Sequence, residues 1–510
     1  MSVAIVTVAL LSIVGAVLLI TLSPHGVHAT NDSFTYLGGA DSLARGEGWT
    51  YPFGEVGSPV TLFPPLYPAV LALPELLDVG TFTWVTWQNA VLFAVFCAVV
   101  GLTVATATRG SAVAAAVAVA LISLGTPTVI TYARIWSETI FLPLVVAILA
   151  CLDRFLVTRR TVWLVGSSVL MSLALLTRYA GLAVFAASCL LLVVWPRRRI
   201  VERARHVALF AGIALPASAA WLIRNQVRSG TLTGDNELIH GLTLADVVEG
   251  FRTIGSWFFH DPSEHPGRWP FVIVTAAAVV VVAVLTGIVA RRRAPTTIGL
   301  PSIVAVCLTY VVVHVSFIAI ADAFSTRAPP FNDRILGPAF PPLMIAVVVI
   351  GHAVWVASPH RGLRIALAAA ALSLLASSVV AAAHIMPGNY GTRIGSEEEY
   401  SDLSDALEGL IGRGPVLLSN RPNVAWFVAG ESVSGLPRSC RGGRVLPDPT
   451  YPRELRLLAQ RLGDEPRQVL VFKNGKECEP FSVDGLKETL RLTRLARLPK
   501  IIVLGGPSPP

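Results

Sequence analysis

The sequence carries little charge and almost no lysine. Only 14% of its 510 residues are Asp, Glu, Lys or Arg, whereas soluble globular chains carry about 25%. All lysines lie beyond residue 470, so most of the net charge of +8 comes from arginines placed between apolar runs. A nucleic-acid-binding protein would instead cluster its basic residues on one face. The composition of the whole chain therefore argues against an ordinary soluble protein and predicts no nucleic-acid partner.

Cysteine is also scarce, with six residues in the chain. Four of them fall within apolar segments, where a free cysteine acts as a small core residue: Cys97, Cys151, Cys189 and Cys307. The other two, Cys440 and Cys478, lie in the polar C-terminal part. We predict a disulfide between them, provided that this part of the chain faces an oxidising compartment.

Apolar residues, in contrast, make up 54% of the chain, and the mean hydropathy is +0.65. Runs of about 20 apolar residues, which can cross about 30 Å of hydrocarbon, recur along most of the sequence. The sequence therefore predicts an all-α polytopic membrane protein with about eleven transmembrane helices. The first lacks a basic flank and is expected to be retained. The predicted spans are 3–22, 83–107, 111–131, 137–156, 162–177, 179–195, 206–223, 270–290, 298–320, 336–356 and 365–386.

Arginines and acids alternate between the connections of these spans. If the N-terminus is cytoplasmic, the inner connections hold most of the arginines, as at 197–205 and 291–293, and the outer ones hold most of the acids. This distribution follows the positive-inside rule. It predicts a multi-pass plasma-membrane protein whose C-terminal part lies outside the cytoplasm.

The chain changes character after its last span, which divides it into a membrane domain at 1–387 and a C-terminal region at 388–510. Short buried-type strands and amphipathic helices alternate in this region, which predicts a small α/β domain. The predicted strands are 416–419, 468–472 and 501–504, and the predicted helices are 398–411, 452–462 and 483–490. A loop that contains Asn420, Arg421 and Pro422 is expected after the first strand.

The connection between the first two spans, residues 23–82, is long, aromatic and acidic. Asp32 follows the first span, and apolar residues then repeat at helical spacing as far as Leu43. Glycines at 46 and 48 are expected to end this helix. A proline-rich segment at 63–68 then returns to the membrane. A second long outer loop is expected at 224–269.

Charged residues recur at the predicted outer ends of other spans. Glu138 heads the fourth span, and Asp333 and Arg334 begin the tenth. The remaining arginines at these ends are Arg134, Arg178 and Arg224. Charges at bilayer depth are costly and usually face a bundle interior or a cavity. Arginines bind phosphate oxygens, and a carboxylate can take a proton from an attacking hydroxyl. The pattern predicts a site for an anionic substrate and proton transfer.

Each of these residues also has a structural alternative. Asp32 and Glu138 are suited to capping helices, and Arg178 and Arg334 could reach lipid headgroups as anchors. The tryptophans near span ends are expected to form an aromatic belt: Trp84, Trp136, Trp221, Trp257 and Trp269. The alternative function is a transporter or flippase of an anionic lipid-linked substrate. Such proteins usually show internal repeats, and we find none in the sequence.

Four features, in this order, resemble the GT-C superfamily of integral-membrane glycosyltransferases, which includes protein O-mannosyltransferases and the aminoarabinose transferases of lipid A. They are Asp32 with Tyr36 four residues later, the proline-rich return with Pro65 and Tyr67, the Ser-Glu pair at Glu138, and the Asp-Arg-Ile-Leu-Gly-Pro segment at 333–338. Two positions depart from the aminoarabinose-type pattern. Ser33 replaces a glutamate, and Phe63 replaces a lysine.

The resemblance implies a polyprenyl-phosphate sugar donor, an active site on the extracytoplasmic face, Asp32 as the catalytic base and inversion at the sugar. With the lysine lost, the donor phosphate is expected to rest on arginines: Arg134, Arg178, Arg224 and Arg334. The first loop would line the substrate site with Tyr36, Pro65 and Tyr67. Glu138 would position the acceptor or, together with Asp32, hold a divalent cation such as Mg²⁺ or Mn²⁺. A polysaccharide, a lipid and a protein of the cell envelope all remain open as acceptor.

Overall fold

The computed structural model describes residues 1–194, 199–234, 243–259, 301–324, 331–412, 415–437, 439–441, 446–473 and 482–506. The helices before residue 260 are α1 (Ser2–Thr21), α2 (Asn31–Ala44), α3 (Leu66–Leu76), α4 (Thr81–Ala107), α5 (Ala112–Leu124), α6 (Thr126–Tyr132), α7 (Glu138–Thr158), α8 (Thr161–Thr177), α9 (Gly181–Val194), α10 (Ile200–Ala214), α11 (Pro216–Ser229) and α12 (Leu244–Ser256). Those after residue 300 are α13 (Ser302–Phe324), α14 (Asp333–Leu336), α15 (Phe340–Ala357), α16 (Arg361–Asn389), α17 (Glu397–Leu407), α18 (Pro422–Ala429), α19 (Tyr451–Leu462) and α20 (Val483–Leu490).

Several of these helices are suited to a bilayer. Among the described residues, six are long and apolar enough to cross a membrane: α1, α4, α7, α13, the segment Asp333–Ala357, and α16. Two bent pairs raise the number to eight, and α8 and α9 are shorter, with 17 and 14 residues. The chain is therefore a multi-pass membrane protein. The number eleven stays a prediction, because the predicted span 270–290 lies outside the described residues.

Two of the predicted spans are broken rather than continuous. The span at 111–131 divides into α5 and α6 with a bend of 61°, and the span at 206–223 divides into α10 and α11 with a bend of 53°. Each second helix has proline in its first turn, Pro127 in α6 and Pro216 in α11. Proline lacks the N–H that would continue the preceding helix and clashes with its last turn. The first bend places Arg134 just beyond α6, at the site described below.

The residues after α16 form most of a mixed six-stranded sheet. Its strands are β1 (Phe53–Gly54), β2 (Val416–Ser419), β3 (Val433–Gly435), β6 (Arg467–Phe472), β7 (Thr493–Arg497) and β8 (Ile501–Gly505), in the order β1-β3-β2-β6-β8-β7. A separate hairpin pairs β4 (Cys440–Arg441) with β5 (Leu446–Pro447). The strands predicted at 416–419, 468–472 and 501–504 are all present. The predicted disulfide includes Cys478, which lies outside the described residues.

One prediction for this region is wrong, because Pro422 does not lie in a loop. It begins α18 directly after β2, where its fixed φ and missing N–H suit the first turn of a helix. The prediction extended the loop through the proline. The structure instead uses Pro422 to start a helix that packs on α2.

The first strand of the sheet comes from the first loop rather than from the C-terminal region. Phe53 and Gly54 pair in parallel with β3, with Phe53 opposite Val433. The Phe53 ring is 8% exposed and lies 5.2 Å from the Tyr51 ring and 5.7 Å from the Trp426 ring. A two-residue strand has no periodicity by which the sequence could predict it. The first loop and the C-terminal region thus share one hydrophobic core.

Helix α2 joins this shared core through a glycine. A Cβ atom on Gly38 would overlap Cε1 of Phe53, whereas a Cβ on the next residue, Gly39, would meet Val60 at an ordinary 3.4 Å. We expect Gly38→Ala to lower the free energy of unfolding by about 1–3 kcal/mol, as overpacking does. Gly39→Ala is the matched control and should be neutral or stabilising, because alanine favours a helix. Unfolding of the purified protein in micelles measures both variants, and equal effects would contradict the proposed overlap.

Candidate active site

Asp32 lies in the first turn of α2, where the helix dipole favours an acid. Its neighbours already cap the helix. Ser33 Oγ accepts a hydrogen bond from the Thr30 N–H at 2.8 Å and donates one to the Ile135 carbonyl at 2.9 Å. The Asp32 carboxylate, 32% exposed, instead accepts from Arg334 Nη1 at 2.5 Å. The carboxylate that follows the first span is thus directed at a guanidinium rather than at a helix terminus.

Glu138 joins two arginines from distant parts of the chain. It begins α7 and its side chain is only 1% exposed. Its Oε1 accepts from Arg334 Nε at 2.6 Å and from Arg178 Nη1 at 2.7 Å. Arg334 therefore bridges Glu138 and Asp32. A buried charge is tolerated only when it is paired, which accounts for Glu138 having two cations.

A short turn fixes the backbone of Arg334. Asn332 precedes α14 as its cap, and its Oδ1 accepts from the Arg334 N–H at 3.1 Å. Asp333 lies beside Arg334, but its Oδ1 accepts from Trp257 Nε1 at 2.8 Å. The two adjacent charged residues therefore face different partners. Asp333 holds the turn against Trp257, directly after α12, and Arg334 pairs with Asp32 and Glu138.

Trp136 packs against two arginines of the site, a contact that the sequence did not predict. The Arg334 guanidinium carbon lies 4.1 Å from the centre of its ring, and that of Arg134 lies 4.8 Å away. Both distances are within the range of cation–π contact. Its Nε1 donates to Thr30 Oγ1 at 2.9 Å, and the residue is 5% exposed. The prediction of a lipid-facing belt is wrong for Trp136, because the packed arginines and the chain around Thr30 cover it.

Arg134 differs from its neighbours in lacking an acid. Its Nη2 donates to Asn389 Oδ1 at 2.9 Å, and no carboxylate among the described residues pairs with it. The cluster of Asp32, Glu138, Arg134, Arg178 and Arg334, here called the ion-pair cluster, therefore has three cations and two anions. Its one excess positive charge favours an anion, and Arg134 is the guanidinium of the cluster that has no carboxylate partner among the described residues.

The predicted substrate-loop residues lie behind the cluster. The hydroxyl of Tyr36 is 3.0 Å from Ser137 Oγ, which accepts from Arg178 Nη1 at 2.9 Å. Burial, and then the charge of Glu138, raises the pKa of the Tyr36 hydroxyl above its usual value, so it stays protonated. The Tyr67 ring packs edge-on against Tyr36 at 5.0 Å, and both residues are almost fully buried. Pro65 is partly buried and directly precedes α3. The tyrosines thus support the cluster from within the protein.

Arg224, the fourth predicted phosphate ligand, binds the first loop. Its guanidinium donates to the Val60 carbonyl at 2.6 Å and to the Trp49 carbonyl at 2.8 Å. It also lies over the Trp221 ring at 4.7 Å. Backbone carbonyls satisfy this arginine, and within the described chain it makes no ion pair with the acids of the cluster. The contacts of Arg224 therefore differ from those of Arg178 and Arg334, which bind the acids of the cluster, and its role as a phosphate ligand stays a prediction.

No family model and no curated protein sequence matches the chain, but several solved structures do. ArnT from Cupriavidus metallidurans, solved with undecaprenyl phosphate, matches with a TM-score of 0.57 at 15% identity over 97% of both chains. The arabinofuranosyltransferase AftD from mycobacteria matches with a TM-score of 0.60 at 16% identity, over 98% of this chain and 40% of AftD. The Archaeoglobus fulgidus oligosaccharyltransferase gives 0.50 at 12% identity, over 92% and 69%. The chain has the GT-C fold.

Two departures from the aminoarabinose-type pattern have a structural role in this GT-C fold. Phe63, in place of lysine, packs its ring 4.4 Å from that of Tyr36. Ser33, in place of glutamate, accepts the Thr30 N–H bond that caps α2 and donates to the Ile135 carbonyl, which joins α2 to the segment before α7. Both side chains point into the protein and stabilise the position of α2. A positive charge near the site must therefore come from the arginines of the cluster.

A divalent cation between Asp32 and Glu138 does not fit this arrangement. Both carboxylates are bonded to Arg334, whose guanidinium lies where a shared cation would have to bind. The cluster already has one excess positive charge, so an added divalent cation would be repelled. Within the described ranges, no group of three or more His, Cys, Asp or Glu residues could hold a metal ion. We derive no catalytic step through a metal.

Proposed function

We propose that the protein is a membrane glycosyltransferase that moves a sugar from a polyprenyl-phosphate donor to an acceptor hydroxyl at the extracytoplasmic face. The observation that carries the proposal is the ion-pair cluster, which joins a partly exposed carboxylate, Asp32, to guanidiniums in a protein with the GT-C fold. The ArnT structure with undecaprenyl phosphate supports a lipid-linked donor. The acceptor is a polysaccharide, lipid or protein of the envelope.

The proposed reaction is a single displacement at the anomeric carbon. The acceptor oxygen forms a bond to this carbon while the bond from the carbon to the phosphate oxygen breaks, which inverts the configuration. Asp32 takes the proton of the acceptor hydroxyl. The departing polyprenyl phosphate gains a negative charge, and the guanidiniums of Arg134, Arg178 and Arg334 stabilise it. Glu138 holds Arg178 and Arg334 in place for this step.

Because Asp32 is paired with Arg334, binding of the donor phosphate to Arg334 would release the Asp32 carboxylate to act as the base. While Arg334 Nη1 donates to Asp32 Oδ2 at 2.5 Å, that oxygen is occupied and cannot accept from an acceptor hydroxyl. A donor phosphate competes with Asp32 for Arg334, because arginine binds phosphate oxygens in the same forked geometry as carboxylates. Once Arg334 turns to the phosphate, the Asp32 oxygen is available to the acceptor. In this order, Asp32 becomes available to the acceptor hydroxyl only after the donor is bound.

Transfer of radiolabelled sugar tests the proposal directly. Purified protein in proteoliposomes is given a lipid-linked labelled sugar and envelope acceptors, with chelator or with added Mg²⁺ or Mn²⁺. A labelled covalent product, absent without protein, is the expected outcome. Labelled donor that crosses the bilayer with no covalent product would instead support the alternative of a transporter or flippase for an anionic lipid-linked substrate.

Arg134 should contribute mainly to donor binding, because no acid among the described residues neutralises it. We expect Arg134→Gln to weaken binding of undecaprenyl phosphate about 10–100-fold, the range for losing a hydrogen bond to a charged group. Arg45→Gln, which removes an exposed arginine at the end of α2, is the control and should leave the affinity unchanged. Equilibrium binding of labelled lipid in micelles measures both. An unchanged affinity in Arg134→Gln would rule out this arginine as a phosphate ligand.

A further inference from the structure

The start of α2 carries a contact from the far end of the chain. Nδ2 of Asn423, in α18, donates to the backbone carbonyl of Asn31 at 2.9 Å and lies 3.0 Å from its side-chain Oδ1. Asn31 is the first residue of α2 and immediately precedes Asp32. Asn423 is 7% exposed, so water cannot readily replace these bonds. The Asn423 side chain, in the C-terminal region, is therefore hydrogen-bonded to the helical turn that carries Asp32.

Aromatic side chains of the C-terminal region also pack against α2. The Phe34 ring lies 4.9 Å from that of Tyr400, in α17, and 5.1 Å from that of Phe427, in α18. The parallel pairing of β1 with β3 ties the end of the same loop to the same region. Polar and apolar contacts from the C-terminal region therefore both reach the first turn of α2.

We propose that the C-terminal region positions Asp32 and that Asn423 is the positioning residue. This inference rests on the proposed role of Asp32 as the base. Arg334 binds the Asp32 carboxylate, and Asn423, in the C-terminal region, binds the backbone carbonyl of the preceding residue, Asn31. When a donor phosphate takes Arg334, the contact to Asn423 remains. It keeps Asp32 within reach of the acceptor hydroxyl, since a displacement of about 1 Å can cost about 10²-fold in rate.

The test compares two alanine substitutions within the C-terminal region. Asn423→Ala removes both bonds to Asn31. Gln468→Ala removes two bonds inside the region, to the Gly412 N–H and the Leu410 carbonyl, each at 2.9 Å. Asn31→Ala is a graded variant, because its backbone carbonyl still accepts from Asn423. Four quantities are measured on the whole protein: kcat for sugar transfer, KM for the donor, hydrogen–deuterium exchange of the peptide covering 31–37, and thermal stability.

For Asn423→Ala we expect kcat to fall about 10–100-fold with donor KM unchanged, and the amides at the start of α2 to exchange faster. Asn31→Ala should show a smaller fall in kcat and a smaller increase in amide exchange. Gln468→Ala should lower thermal stability without changing kcat or the exchange of 31–37. Unchanged exchange in Asn423→Ala would overturn the positioning contact whether or not the protein transfers sugar. Faster exchange with unchanged kcat would overturn its role in catalysis. A wild-type protein without transfer activity would instead refute the proposed function, while the exchange data would still decide the contact.

Discussion

Asp32→Asn is expected to lower kcat for sugar transfer about 10²–10⁴-fold, the range for loss of a general base. The substitution keeps the size of the side chain but removes its charge and its ability to accept a proton. Arg334 then loses one of its two carboxylates and is freer to bind phosphate. The affinity for undecaprenyl phosphate should therefore stay the same or increase. A fall in kcat without loss of donor binding distinguishes a lost base from a damaged site.

The control for this substitution lies on the same helix. Asp41 accepts from Arg45 at 2.7 Å and is mostly buried, so Asp41→Asn also removes an acid paired with arginine. We expect it to retain kcat near the wild-type value. Both variants are compared in the same proteoliposome assay with saturating donor. Full activity in Asp32→Asn would remove the proposed base, and an equal loss in Asp41→Asn would show that α2 is merely sensitive to substitution.

Glu138→Gln is expected to have the largest effect on stability. The substitution leaves Arg178 and Arg334 without their shared carboxylate at a position where Glu138 is 1% exposed. Removing one member of a buried ion pair costs about 3–5 kcal/mol, since the remaining charge is uncompensated. Titration with sodium dodecyl sulfate in mixed micelles measures the free energy of unfolding. Transfer activity should fall as well, because the two guanidiniums lose their fixed position.

A double-mutant cycle separates this effect from general damage to α7. Arg178 donates to Glu138 and to Ser137, so Glu138→Gln combined with Arg178→Gln removes one uncompensated charge. The double variant should be less destabilised than the sum of the single variants, which is the signature of direct coupling. Glu398→Gln, at a half-exposed ion pair, serves as the control and should change stability little. Additive effects at Glu138 and Arg178 would contradict a shared buried network.

Some residues of the site could be selected from the sequence because of where they stand. Asp32, Glu138, Arg178 and Arg334 each occur at the end of an apolar segment, and a charge there needs a partner or a cavity. The structure brings these four side chains together. Arg224 stands at an equivalent position but binds loop carbonyls. Sequence position alone could not separate it from the others, because the choice depends on which backbone atoms pack nearby.

Other contacts of the site could not be predicted, because the sequence shows no pattern for them. Trp136 looks like any interfacial tryptophan in the sequence, and only packing shows that it lies against Arg134 and Arg334. The pairing of Phe53 with Val433 joins residues far apart in the chain through a strand of two residues. Asn423 bonds to Asn31 across a similar separation. Contacts of this kind depend on the relative placement of whole elements, which local periodicity does not encode.

The sequence by itself determined that this chain is a multi-pass membrane protein with an acid after its first span and charged residues at several helix ends. Hydrophobic length and charge placement are local properties, and the bilayer acts on them directly. Only the tertiary structure decided which arginines meet the acids, that Arg134 remains without a carboxylate among the described residues, and that the C-terminal region holds the turn of Asp32. Ion pairs and buried hydrogen bonds need side chains within about 3 Å of each other, and packing between distant segments sets those distances.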